Sequence, residues 1–322
     1  MKNVIAHQVM NKRLITILGP TACGKTAVAT QLAARIGGEI ISADSRQVYR
    51  RMDIGTGKDL KEYTLVDGTR IPYHLIDIVE PGTKYNLYMY QKDFKQVYDD
   101  IMSRGKTPVL CGGTGLYIES ILRDYQLADV PEDKLLREEL KGKSLSELTE
   151  MLKELKRRNG TCMHNTTDVD TAQRAIRAIE IEMHSGCAVE GNDHIDIGSP
   201  IVIGINVDRE LRRKRITERL HARLQEGMVE EVRGLLDEGI KPEDLIYYGL
   251  EYKYLTMYVL GQLTYSEMTS KLEIAIHQFA KRQMTWFRGM EKRGFKINWL
   301  KYDMPRMEFV DSVKEIISKV SE

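Results

Sequence analysis

The chain has few of the residues that define several protein classes. Among 322 residues there are four cysteines, eight prolines and two tryptophans. Cys23, Cys111, Cys162 and Cys187 show no Cys-x-x-Cys spacing. That excludes the usual zinc-site pattern and a disulfide framework, and is expected of a reducing compartment. No apolar run approaches the roughly 18 residues that a membrane-spanning helix needs. The amino terminus, MKNVIAHQVMNKR, lacks the apolar core of a secretory signal. Charge of one sign is also missing, since 48 Lys and Arg against 47 Asp and Glu give a net +1. A globally basic nucleic-acid binder is therefore not indicated. No repeat or low-complexity tract interrupts the chain. With 42% apolar and 30% charged residues, it has the composition of a globular protein long enough to bury a large core. The expected location is the cytoplasm, with no membrane and no obligate protein partner.

Charge is nonetheless local. Residues 209–223 carry seven Lys and Arg against two Glu, a net of +5, and residues 281–296 carry six against one, again +5. Each run reads either as a solvated helix face or as part of a phosphate-binding surface.

Strand and helix patterns alternate through the first 123 residues. Strands are expected at 14–18, 39–41, 73–78 and 108–111, and helices after Thr26, at 87–103 and at 116–122. That alternation predicts an α/β fold with a parallel sheet covered on both faces. Residues 124–196 read differently: charged helical patterns at 131–158 and 168–184, a Gly- and Asp-rich loop at 185–200, and no strand. Strand pattern returns at 201–208, then a basic helix and further helices. The expectation is a core of residues 1–123 and 197–322 interrupted by an all-helical insertion at 124–196.

The strongest motif is Gly19-Pro20-Thr21-Ala22-Cys23-Gly24-Lys25-Thr26, a full G-x-x-x-x-G-K-[ST] between strand and helix. Its glycines permit a turn whose N–H groups face phosphate oxygens, and the helix start adds partial positive charge. Lys25 supplies a full charge and Thr26 a hydroxyl suited to Mg²⁺. The motif specifies phosphate or pyrophosphate, but not the reaction. Asp44 follows the second strand, at the sheet edge where α/β proteins bind ligands. It reads equally as a site carboxylate or as the cap of a helix over 45–52. Asp77 reads as a Mg²⁺-associated or, more simply, a structural carboxylate. Gly112-Gly113-Thr114-Gly115 is another glycine-rich strand-to-helix turn, read either as a tight turn or as a ligand contact.

Taken together, GPTACGKT, ISADSRQVYRRMDIGTGK, HLIDI, GGTGLYIESIL, AQRAIRAIE and AKRQMTWFRG resemble the tRNA dimethylallyltransferases (tRNA isopentenyltransferases), in the same order from about residue 14 to 300. The resemblance implies a P-loop NTPase-like core. It also implies transfer of a dimethylallyl group from dimethylallyl pyrophosphate to the exocyclic amine of the adenosine 3′ of the anticodon, with tRNA bound by its anticodon stem-loop. Carried over by motif, Asp44 is the general base, and Thr114 and Arg219 belong to the reaction site. The loop from Gly19 to Thr26 grips pyrophosphate, with Mg²⁺ on Thr26. Asp44, Ser45, Arg46, Gln47, Thr114, Arg137, Gln173, Arg174, Arg177, Gln278, Lys281 and Arg282 face tRNA. The chain departs from the family pattern at Cys23, where serine is usual, at Arg46, where smaller residues are common, and at 247–252. Against this stand an ATP-dependent small-molecule kinase, a nucleotide-hydrolysing RNA-binding switch, and an isopentenyltransferase acting on free AMP.

Overall fold

The computed structural model describes residues 13–127, 129–161, 169–184, 194–303 and 305–321. Cys162, Cys187, Asp168 and most of the 185–200 loop reading lie outside them. The chain divides into two compact units, one of residues 1–124 and 195–322, the other of residues 125–194.

In the first unit the described strands form one parallel sheet of six: β1 (Ile15–Leu18), β2 (Gly38–Ala43), β3 (Tyr73–His74), β4 (Thr107–Gly112), β5 (Ile201–Asn206) and β6 (Ile297–Lys301). Their order across the sheet is β3-β2-β4-β1-β5-β6. The four central strands are buried along almost their whole length because both faces are covered. Successive side chains point to opposite faces. Leu14 and Leu18 enter a core with Tyr90, Phe94, Ile118 and Phe287, whereas Ile15 and Ile17 enter another with Val28, Leu32, Phe309 and Val313. The first core is built by α2 (Leu87–Ser103), α3 (Gly115–Leu122) and α11 (Tyr265–Lys292); the second by α1 (Lys25–Ile36) and α12 (Arg306–Ser321). No helix among the described residues is long and apolar enough to cross a membrane.

The second unit contains α4 (Lys134–Leu140), α5 (Leu145–Arg158) and α6 (Ala172–His184), packed on Leu140, Leu148, Leu152, Ala175 and Ile179. It has no strand among its described residues. Residues 131–158, read as one helical stretch, are two helices. The first ends at Leu140, Gly142 takes φ 89°, and Ser144 with Glu147 starts the next by a reciprocal capping box.

The structure departs from the sequence reading at three further places. The strand expected over 73–78 is only two residues long. Leu75 and Asp77 take φ of 60° and 57°, which turns the chain out of the ladder. Residues 45–52 form turns, not a helix, and Tyr49 bridges Val79. Strand β6 was missed because its short INWLK run follows a strongly basic helix and has an edge strand's mixed polarity. It pairs in register with β5, Val202 opposite Ile297.

Candidate active site

Every loop at issue leaves the carboxyl end of a strand. The chain runs from β1 through Gly19–Gly24 into α1, and Ala22 and Gly24 both take left-handed backbone, at φ 61° and 82°. Such a backbone turns N–H groups toward a shared concavity at the helix start. A β-carbon at Gly24 would also lie 3.1 Å from the Tyr302 ring, so glycine serves there both for conformation and for space. Cys23 points the other way. It is fully buried, with its thiol pushed up by desolvation, and its sulfur would lie 2.7 Å from a β-carbon placed at Gly19. It packs the loop from behind; a small side chain is what the position needs.

Asp44 follows β2. Its Oδ1 accepts the Arg46 N–H at 3.0 Å, which holds the carboxylate at the sheet edge without a helix to cap. Thr114 follows β4, and its Oγ1 accepts the Ser45 N–H at 3.1 Å. The two turns are thereby joined next to Asp44. From α7 (Arg209–Gln225), the first basic run, Arg219 donates to Thr21 Oγ1. Burial lowers the Arg219 pKa to about 10, so the group stays cationic at neutral pH.

These pieces surround one cavity of about 430 Å³. Thr21, Lys25, Asp44, Ser45, Arg46, Thr114, Arg219 and Arg282 line it. Its charged lining is Lys25, Arg46, Arg219, Arg223 and Arg282 against Asp44 and Glu251, a formal 5 − 2 = +3. Burial raises the Glu251 pKa, which weakens the acidic side further. Leu116, Leu250, Ile276, Phe279 and Trp286 give the same cavity an apolar wall. A cavity lined by both cationic and apolar side chains suits an amphiphilic anion.

Other expected residues lie elsewhere. Gln47 accepts from Ser42 Oγ and donates to the Gly57 carbonyl, both at 3.1 Å, and so braces the loop under the cavity. Asp77 forms an ion pair with Lys58, which is 1% exposed and also holds Asp53 at 2.5 Å. This assigns Asp77 the structural alternative. Gln278 and Lys281 are exposed on α11 and do not line the cavity. In the second unit, Arg137 makes two bonds to the buried Glu180, of 2.5 and 2.8 Å, and Arg177 a third of 3.0 Å. Arg174 pairs with Asp170, and Gln173 is exposed.

Sequence reading gave several groups no individual role in the site. Arg223 lines the cavity beside Arg219 and donates to Asp59 at 3.0 Å. Glu231 accepts the N–H groups of Asp53, Ile54 and Gly55 at 2.8, 2.7 and 3.0 Å, fixing the loop that carries Gly55 and Thr56 into the cavity. Its only signal was its place downstream of a basic helix. The stretch 248–252, a departure from the family pattern, lines the cavity throughout.

A parallel sheet with a phosphate loop after a central strand, facing one cavity with a carboxylate and arginines, defines a P-loop NTPase-like fold. The family model described as IPP transferase matches residues 47–290, and one described as isopentenyl transferase matches 12–79. The chain is 60% identical over 306 residues to tRNA dimethylallyltransferase 1 of Parabacteroides distasonis, covering 95% of this chain and 97% of that one. It is 59% identical to tRNA dimethylallyltransferase 2 of Bacteroides fragilis over 94% of this chain and 97% of that one. Among solved structures, a tRNA isopentenylpyrophosphate transferase from Bacillus halodurans matches with a TM-score of 0.68 and 31% identity, over 96% and 97% of the two chains. A eukaryotic dimethylallyltransferase acting on tRNA matches in fold, with a TM-score of 0.71, 20% identity, and 95% and 78% coverage. The chain belongs to the tRNA dimethylallyltransferase family.

Proposed function

We propose that the protein transfers the dimethylallyl group of dimethylallyl pyrophosphate to the exocyclic amine of the adenosine 3′-adjacent to the anticodon of tRNA, releasing pyrophosphate. The observation that carries this reading is one cavity lined at once by Lys25 and Arg219, by Asp44 and by apolar side chains. An adenine amine is a weak nucleophile, because its lone pair is delocalised into the ring. The allylic carbon compensates by tolerating positive charge as its bond to the diphosphate oxygen breaks.

The chain's own groups then have three tasks. Lys25, Arg219 and the loop N–H groups stabilise the negative charge that develops on the diphosphate. The apolar wall and the Thr114 turn align the carbon with the amine, an arrangement worth up to about 7–11 kcal/mol. Asp44 takes the amine proton as the new C–N bond forms. Arg46 and Ser45 contact the target base and its neighbours, and Thr114 lines its path.

Among the described residues no group of three or more His, Cys, Asp or Glu side chains is placed to hold a metal. Thr26, next to Lys25 at the start of α1 but not itself in the cavity lining, carries a hard hydroxyl oxygen. That fits Mg²⁺ arriving with the diphosphate, which would supply its remaining ligands together with water; when bound, the ion neutralises leaving-group charge. Gln278, Lys281 and Arg282 on α11, together with Arg137, Gln173, Arg174 and Arg177 of the helical insertion, are assigned to tRNA phosphates and loop bases. Unpaired loop bases leave the stack more cheaply than duplex bases. The reaction is placed in the cytoplasm.

Incubation with labelled dimethylallyl pyrophosphate and unmodified tRNA, followed by nucleoside analysis, tests the reading. Isopentenyladenosine next to the anticodon is expected. Label on free AMP instead, or phosphate transfer from ATP, would replace it with one of its rivals.

A further inference from the structure

The phosphate loop and the Thr114 turn leave neighbouring strands, β1 and β4, yet what joins their ends comes from neither. Gln283 of α11, 7% exposed, accepts the Thr21 N–H on Oε1 at 2.8 Å and donates from Nε2 to the Gly113 carbonyl at 2.9 Å. One side-chain amide thus spans both glycine-rich turns. On the far side of the second turn, Thr114 holds Ser45 next to Asp44. A chain of contacts therefore runs from the diphosphate end to the carboxylate end, with Gln283 at its centre.

The helix around Gln283 is placed for the same purpose. Phe279, Gln283 and Trp286 follow one another at four- and three-residue spacing, so they share a face of α11. All three line the cavity. The neighbouring exposed positions, Gln278 and Lys281, belong to the basic face assigned to tRNA. A β-carbon at Gly113 would lie 2.5 Å from Gln283 Nε2, so glycine there leaves the amide room to reach the turn.

Resting on the function proposed above, we infer that Gln283 is a positioning residue: its amide sets the separation between the diphosphate loop and the Asp44 side, and ties that separation to the helix that meets tRNA. Its amide is engaged by Thr21 and Gly113, and it is assigned no contact with a reacting atom. Its effect falls on alignment, and so on turnover more than on binding of either substrate.

The test is Gln283→Met, of similar length but without either hydrogen bond, alongside Gln283→Glu, which keeps an acceptor for Thr21 but loses the amide donor to Gly113. Turnover and KM for dimethylallyl pyrophosphate and tRNA are measured with the wild type, together with Kd for inorganic pyrophosphate and the thermal midpoint. A misplacement of this kind predicts that Gln283→Met lowers kcat by about 10- to 100-fold while both KM values move less than about threefold. Gln283→Glu should also lose turnover, since only one turn remains held. Wild-type kcat per folded molecule in either variant, or a loss appearing only as raised KM or as a lower folded fraction, overturns the inference. If Gln283→Met does not fold, Gln283→Glu decides alone. A wild type that makes no isopentenylated tRNA is a different result: it sinks the functional reading, and the inference with it.

Discussion

At the scale of single residues, the charged groups of the cavity divide by task. Asp44→Asn keeps the shape and the Arg46 N–H contact but removes the base. Turnover should fall by about 10²–10⁴-fold, with tRNA affinity nearly unchanged in a filter-binding titration. Residual transfer above a tenth of wild type would mean that another group takes the proton. Arg219→Gln should act on the donor. A charge-assisted hydrogen bond is worth about 1.5–3 kcal/mol, so Kd for dimethylallyl pyrophosphate should rise roughly 10- to 100-fold. An unchanged Kd in calorimetry would separate Arg219 from the diphosphate. Sequence position singled out Lys25 and Thr114, each beside a glycine turn after a strand, and Asp44 at a strand's carboxyl end, where a site carboxylate and a helix cap read equally. It could not show that the Gln47 amide, expected to face tRNA, also bonds Ser42 and Gly57. It also could not show that Arg137 and Arg177 are held by the buried Glu180. Any phosphate they meet must compete with that carboxylate.

At the scale of elements, close approach decides more than propensity. A β-carbon at Gly115 would lie 2.6 Å from Trp286 Cγ, so α3 and α11 meet at the glycine that opens α3. Gly115→Ala should force the indole aside and lower unfolding stability by about 1–3 kcal/mol in urea. It should also deform the apolar wall, since Trp286 lines the cavity. At the opposite edge, Glu39 begins to anchor β2 to α2. Hydrogen bonds from Arg104, opposed by burial and assisted by His74, hold its carboxyl below the ordinary 4.5. A depressed native pKa contributes stability that is fully present above the unfolded value and disappears as pH falls through the native one. Acid unfolding of the wild type should therefore steepen below about pH 4.5, and Glu39→Gln should flatten that limb of a pH–stability curve. An identical acid limb in the variant would show that the network contributes nothing.

At the scale of the whole molecule, a net charge of +1 conceals a basic α7 and a basic end of α11. Lys281→Gln and Arg282→Gln should each reduce the slope of log Kd for tRNA against log salt by about one, whatever the tRNA sequence. A slope that stays constant would leave α11 with no phosphate contacts of this kind. The same contrast shows how differently the two levels of folding write themselves into the chain. The alternation of apolar strands and helices, the break in texture near residue 124 and the G-x-x-x-x-G-K-[ST] loop are local patterns, each set by residues within a few positions of one another, and so the sequence alone determined the α/β class and the phosphate chemistry. Strand β6, the turns at 45–52, the placement of Arg223 and Glu231, and the two-ended grip of Gln283 depend on partners distant along the chain, from Val79 for Tyr49 to Gln283 for Thr21 at a separation of 262. Only the tertiary structure decided those, because a hydrogen bond or a close contact is fixed by distance in space, and local pattern carries no record of it.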